Sequence, residues 1–268
     1  MKLFDSHCHL TWADDQYPVE EWLQQAHANQ VEQFICVAVD EKNALECKAL
    51  ADIFPQVHPT FGIHPNDLGD GSELAARLQT LNSLAKETSW VAVGETGMDF
   101  FREHTTREVQ EEGFTFQLEL AKEWDLSTVI HCRDAADATL AILKNHGNPE
   151  RCIMHCWSGS PDELKPFLDL GVWVSFAGNL TYPKSDAIRQ SAQLVPEHRL
   201  LLETDAPFLA PQPKRGKRNE PAFLPHTLQA LAEIRKMSPI DLAEITYQNT
   251  CEAFEISFHS GIEVDTDT

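Results

Sequence analysis

What most constrains the fold of this chain is an alternation that runs almost its full length. Short apolar runs rich in β-branched and aromatic residues take turns with stretches of helical spacing. Strands are expected at the N-terminus up to residue 9, then at 34–39, 57–63, 90–93, 127–130, 152–154, 172–176 and 200–203. Helices are expected between them, at 19–29, 43–54, 74–87, 107–124, 135–144, 161–170 and 186–194. Strands that are apolar throughout are buried on both faces, which is the condition of a parallel sheet covered by helices. Eight such units over about 250 residues predict an α/β fold of one kind, a closed (β/α)8 TIM barrel. No Gly/Ser-rich or Pro-rich linker interrupts the pattern, so residues 1–268 read as a single domain. Residues 224–258 then form helices on the barrel's outside, and the acidic tail from about 259 to 268 is expected to fray.

The polar residues fall into the same register. His7 and His9, at i and i+2 of the first strand, project to one face. His64, Glu95, His131, His155 and Asp205 each stand at or just past the end of a later strand. In a barrel those ends form the face where active sites lie. Any one of these residues alone would be unexceptional, a hydrogen-bonded histidine or a turn aspartate. Six metal-capable groups (His7, His9, Glu95, His131, His155 and Asp205) at matching positions of five strands are not. Four imidazoles and two carboxylates exceed the needs of one ion, so a two-metal centre is expected, with Glu95 as the shared carboxylate. His27, His104, His146, His198 and His259 fall in helices or loops away from that face and read as surface residues. Cys8, Cys132 and Cys156 each adjoin a proposed ligand, and strand alternation turns them outward, toward the helices.

The motifs carrying these residues resemble the TatD family of metal-dependent hydrolases. They are Asp5-Ser6-His7-Cys8-His9-Leu10, Gly62-Ile63-His64-Pro65, Gly94-Glu95-Thr96-Gly97-Met98-Asp99-Phe100, His131-Cys132-Arg133-Asp134-Ala135, His155-Cys156-Trp157-Ser158-Gly159 and Glu203-Thr204-Asp205-Ala206-Pro207. Arg215-Gly216-Lys217-Arg218-Asn219-Glu220-Pro221 looks like the family's motif after the last strand, and 249–254 is similar to its N-x-x-x-x-F ending. The resemblance implies an amidohydrolase-type barrel. One metal would be held by His7, His9, Glu95 and Asp205, and a second by Glu95, His131 and His155. His64 and Arg133 would contact a substrate phosphate. It also implies a Mg-dependent deoxyribonuclease with 3′–5′ exonuclease action on single strands. Phe100 and Trp157 depart from the family's more frequent Tyr and Phe, which keeps an aromatic ring near the site and bears on base stacking and pocket shape.

Two cations at such a site suit hydrolysis by an activated water, with Asp205 placed to take the water's proton and Glu203 as a supporting partner. The imidazole-rich shell favours Zn, Mn or Ni over Mg on ligand softness. A transition metal as isolated, with activity on added Mg or Mn, is therefore expected. Charge is the main obstacle to a DNA substrate: the formal net charge is −21, which repels a long polyanion. Lys214, Arg215, Lys217 and Arg218 offset it locally, on the loop after the last strand. A single-stranded 3′ end fits that balance better than a duplex. The alternative is a small-molecule amide, ester or lactone hydrolase using the same two-metal site. Seven cysteines without a C-x-x-C pair and no apolar run near the ~18 residues of a membrane span point to a cytoplasmic protein. Nothing in the sequence calls for a membrane or an obligatory protein partner.

Overall fold

In a computed structural model, residues 1–14, 16–86, 89–102 and 104–257 are described. Strands β1 (Leu3–Cys8), β2 (Val31–Cys36), β3 (Val57–Phe61), β4 (Ala92–Asp99), β5 (Ser127–Arg133), β6 (Cys152–Met154), β7 (Trp173–Phe176) and β8 (Leu200–Leu202) lie side by side in that order. Every pairing from β1–β2 through β7–β8 is parallel. Helices α1 (Val19–Ala28), α2 (Glu41–Ile53), α3 (Leu74–Leu84), α4 (Arg107–Glu123), α5 (Ala136–His146), α6 (Pro161–Asp169) and α7 (Asp186–Leu194) fill the seven connections. Two more, α8 (Leu224–Arg235) and α9 (Pro239–Ala253), follow the last strand. This is the predicted (β/α)8 barrel. Among the described residues no helix is long and apolar enough to cross a membrane. Glu87, His259 and the acidic tail lie outside the described residues.

The barrel closes between its first and last strands just where the site residues are. Asp205 N donates to His7 O at 2.9 Å, and His9 N donates to Ala206 O at 2.8 Å. Asp5, fully buried, reinforces the seam: its carboxyl accepts Thr204 N at 2.9 Å and Thr204 Oγ1 at 2.5 Å. Burial pushes the Asp5 carboxyl up to about 8.

Inside the barrel, Phe4, Ile35, Val129, Ile153, Trp173 and Leu201 pack as one apolar cluster. Phe254 and Ala253, at the end of α9, belong to the same cluster and seal its lower end. Asn249 fixes α9 there by donating to Glu197 O at 2.6 Å and Leu200 O at 2.8 Å. The 249–254 motif is thus a plug. A second, larger cluster lies between strands and helices, and Cys8 and Cys132 pack in it as expected.

Several strands differ from their expected extents: β2 lies three residues earlier, β5 runs on to Arg133, and β4 changes most. β4 runs on from Val93 to Asp99, buried at all eight residues and paired with β5 as far as Asp99 and Arg133. Glycines make this possible. Gly94 and Gly97 have φ of 143° and 136°, and a Cβ at Gly97 would lie 2.0 Å from His131 O. Only glycine serves there, and the close β4–β5 approach brings Glu95 and His131 together.

Candidate metal centre and active site

His7 and His131 lie within strands, and His9, His64, His155, Glu203 and Asp205 follow strand ends within a few residues. Glu95 stands in the middle of β4. The structure brings all of them into one buried cluster. Glu95 is its centre, and its two oxygens face different partners. Oε2 lies 3.5 Å from His7 Nε2 and 3.7 Å from His9 Nε2. Asp205 Oδ1 completes that side, 3.7 and 3.5 Å from the same two nitrogens. Oε1 instead faces His155 Nε2 at 2.8 Å and His131 Nδ1 at 2.9 Å.

Each imidazole's outer nitrogen decides what its inner nitrogen offers. His9 Nδ1 donates to Val37 O at 3.0 Å. His131 Nε2 donates to Asp99 Oδ2 at 3.2 Å, and His155 Nδ1 to Glu203 Oε1 at 3.3 Å. The proton is then on the outer atom, and a lone pair points into the cluster, as in metal-ligating histidines. His64 is the exception. Its Nδ1 accepts Asn66 N at 3.1 Å, so Nε2 carries the proton and faces Glu95 Oε1 at 3.6 Å. His64 offers a donor where His9, His131 and His155 offer lone pairs.

Adjacent ligand atoms each about 2.1 Å from one cation lie about 3.0–3.4 Å apart. His7 Nε2 and His9 Nε2 lie 3.3 Å from each other and 3.5–3.7 Å from both Glu95 Oε2 and Asp205 Oδ1, and the atoms of Glu95, His131 and His155 are 2.8–3.4 Å apart. His7, His9 and Glu95 form one group that fits a divalent ion and Glu95, His131 and His155 another, with Asp205 beside the two histidines of the first.

The titrations say the same. Burial would raise Glu95, but the charge of His155 and bonds from His131 and His155 hold it well below the usual carboxylate range. Asp205 is likewise held down against burial, chiefly by the His9 bond. The Glu95 and Glu203 charges overcome burial to lift His155 well above the usual histidine value, and Asp99 and Glu95 lift His131. Protons thus sit where cations would sit in the loaded protein. Burial lowers His64 to about 3, keeping it a neutral donor.

Residues that sequence reasoning did not single out hold this arrangement. Asp99 accepts Phe101 N and Arg102 N through Oδ1, and Asn66 Nδ2 and His131 Nε2 through Oδ2. Gln110 and Gln117, buried on α4, bind both backbone atoms of Asp99 and of Ile63, respectively. A glutamine inside a helix carries no sequence signal for this. Asp99 does, because it closes the same short motif as Glu95.

The match to known proteins follows the same residues. A family model described as TatD related DNase matches residues 4–255. The chain belongs to the TatD family. It is 33% identical over 256 residues to the uncharacterized metal-dependent hydrolase YabD of Bacillus subtilis strain 168, covering 95% of this chain and 100% of that protein. It is also 33% identical over 265 residues to the 3′-5′ ssDNA/RNA exonuclease TatD of Citrobacter rodentium strain ICC168, covering 96% and 100%. The crystal structure of YjjV, a TatD homologue from Escherichia coli K12, superposes with a TM-score of 0.88 at 30% identity, covering 95% of this chain and 98% of that one. This TatD chain is a metal-dependent hydrolase.

The mouth of the TatD site corrects three expectations. Phe100 and Trp157 do not face the pocket. Phe100 packs against the outer core beneath Arg107, and Trp157, 4% exposed, packs on Phe167 and donates to Gly159 O. Cys156 follows the strand at a φ of 46°, so strand alternation does not govern it. Burial and the charges of Asp205, Glu203 and Glu95 raise its thiol, and Asn179 Nδ2 donates to it at 3.6 Å. The basic loop is partly engaged: Arg218 binds Asp14 Oδ2 at 2.7 Å and Trp12 O, and Arg215 stacks on Tyr182. Of the other histidines, His27, His104 and His198 are exposed, and His146 meets Glu119 at 3.2 Å.

Proposed function

We propose that this TatD chain is a two-metal phosphodiesterase that removes nucleotides from the 3′ end of single-stranded DNA. The observation that carries the reading is the division of Glu95, one oxygen to each group of lone pairs. His7, His9, Glu95 and Asp205 would hold one divalent ion, and Glu95, His131 and His155 the other. Bound cations supply positive charge that makes a water nucleophilic at neutral pH and withdraws electrons from the phosphoryl group. The chain's own residues do the rest. Asp205, ionised and at the edge of the cluster, accepts the water's proton. His64 donates from Nε2 to a phosphate oxygen, and the half-buried Arg133 guanidinium pairs with another. The exposed Lys217 adds positive charge at the mouth.

An imidazole-rich shell favours Zn, Mn or Ni as isolated, with Mg or Mn supporting turnover. Seven free cysteines agree with a cytoplasmic setting. The net charge of −21 favours a second reading, hydrolysis of a small amide, ester or lactone by the same groups.

The test is hydrolysis of a 5′-labelled single-stranded oligonucleotide by metal-stripped protein with Mg or Mn restored. A ladder shortening from the 3′ end, absent with Glu95→Ala and Asp205→Ala, is expected. Log-linear weakening with salt would mark phosphate contacts. No cleavage by the metal-loaded protein would sink the nuclease reading in favour of the small-molecule one.

A further inference from the structure

Three aromatic rings stand at the mouth, none of them used by the chemistry above. Trp12 follows β1 and stacks flat on His9, with centroids 4.6 Å apart and an interplanar angle of 16°. Phe208, after β8, meets Trp12 edge-on at 5.1 Å and is 44% exposed. Phe101, after β4, is 59% exposed, with the Arg133 guanidinium 3.9 Å from its ring centre. Each ring packs on a neighbour, and the backbone that carries it is held by a side chain. Arg218 holds Trp12 O, Asn219 Nδ2 donates to Phe208 O, and Asp99 Oδ1 accepts Phe101 N.

Topology gives these rings their meaning. β1 and β8 adjoin at the seam, and β4 and β5 adjoin halfway round the eight-stranded sheet. The Trp12–Phe208 pair and the Phe101–Arg133 pair therefore face each other across the mouth, with the Glu95 cluster between them. Exposed rings packed in this way cost little entropy when a flat ligand stacks on them. Nucleobases stack on such rings whatever their sequence. Arg133, beside Phe101, places a positive charge next to one platform.

We propose that the two pairs are base-stacking platforms flanking the scissile phosphodiester. One seats the base on its 5′ side and the other the base on its 3′ side, so the unit recognised is a dinucleotide step of a single strand. The proposal rests on the nuclease reading and goes beyond it, because a phosphodiesterase could ignore the bases entirely. A duplex would bury both faces of those bases and is excluded by the same geometry.

The experiment uses the metal-loaded enzyme and three 5′-labelled single strands of equal length. One is complete, one lacks the 3′-terminal base, and one lacks the penultimate base. Removing either base should lower kcat/KM roughly 5- to 100-fold for the wild type, the usual value of one stacked base. Phe208→Ala and Phe101→Ala should each lower kcat/KM on the complete strand by a similar factor. Each should also become indifferent to the loss of one base, a different one for each variant. Phe208→Tyr and Phe101→Tyr should restore the wild-type pattern, which a merely structural role would not predict. Because both rings are largely exposed, unchanged metal content and thermal melting are expected throughout. Equal cleavage of all three strands by the wild type overturns the platforms while leaving the nuclease intact. So do alanine variants that keep full sensitivity to both bases. Cleavage of none of the strands overturns the nuclease reading and the platforms with it.

Discussion

The barrel's two ends are built on the same eight strands from opposite materials. The lower end is filled by Phe4, Val129, Trp173 and Leu201 and sealed by Phe254. The upper end is lined by five imidazoles and four carboxylates, all but one less than 10% exposed; His131 is the exception, half-buried. Burying apolar surface stabilises a fold by about 25 cal/mol per Å². Burying charge costs free energy unless each group is paired. At the upper end the pairing is incomplete: His7 Nδ1 and Glu203 Oε2 are buried without a hydrogen-bond partner. One end holds the barrel together, and the other spends part of that stability on a site. The two are coupled by the β1–β8 seam, where Asp5 and Thr204 lock the strands on which His7, His9 and Asp205 depend.

The sharpest test of this division is Glu95→Gln. The amide keeps the shape but removes the charge shared by both groups of lone pairs. Activity should fall on the order of 10³-fold or more, a loss of about 4 kcal/mol in transition-state stabilisation. The metal-free protein should melt lower, because His131 and His155 lose the carboxylate paired with them. A variant that kept its activity would break the division.

Phe254→Ala makes the opposite cut. Truncating a buried phenylalanine costs about 3–5 kcal/mol, read by urea denaturation. Activity per folded molecule should be unchanged, since Phe254 lies at the far end of the lumen. A fall in kcat at full stability would mean the plug tunes the site.

His58 extends the comparison to pH. It lies near the start of β3, against Phe4, and bonds Gln33 Oε1 at 2.8 Å. Burial lowers it from 6.5 to about 4. The unfolded chain therefore takes up this proton near pH 6.5, and the folded chain does so only near 4. Stability is fully present above 6.5 and falls as the pH drops toward 4, by up to about 3 kcal/mol after allowance for partial exposure. His58→Gln should flatten that interval in a series of urea titrations. An unchanged pH profile would assign the acid sensitivity to other groups.

Much of this is legible in the sequence because period and spacing are local. Buried parallel strands need uninterrupted apolar runs, and a site at one end of a barrel needs its ligands at one end of each run. His7, His9, Glu95, His131, His155 and Asp205 therefore announced themselves as a set. What was hidden depended on direction. Phe100 and Phe101 are adjacent and alike, yet one packs inward and the other stands at the mouth. The difference is set by the turn that Asp99 caps after β4. Trp157 looked like a pocket ring because it follows His155, but its position beyond the strand end turns it onto α6. The tautomers were equally out of reach. They are fixed by Val37 O, Asp99 and Glu203, contacts that only the closed barrel creates.

The smallest expected effect probes that last point. Asp99 accepts the Nε2 proton of His131 and so leaves the Nδ1 lone pair facing Glu95. In Asp99→Asn, Oδ1 can still accept Phe101 N and Arg102 N, but the amide NH₂ meets the donors of Asn66 and His131. His131 then shifts its proton to Nδ1, the atom that should bind metal. Affinity at the Glu95–His131–His155 group should fall about 10- to 100-fold, as is usual when such an outer partner is lost. The His7–His9–Glu95–Asp205 group, which does not use His131, should bind as before. Calorimetric titration of metal-stripped protein with Mn separates the two, since only the weaker or the tighter of two binding steps should move. If both steps weaken together, the two groups are a single coupled unit and Glu95 transmits the change. If neither moves, the tautomer of His131 is set by Glu95 alone and Asp99 serves only the turn that presents Phe101.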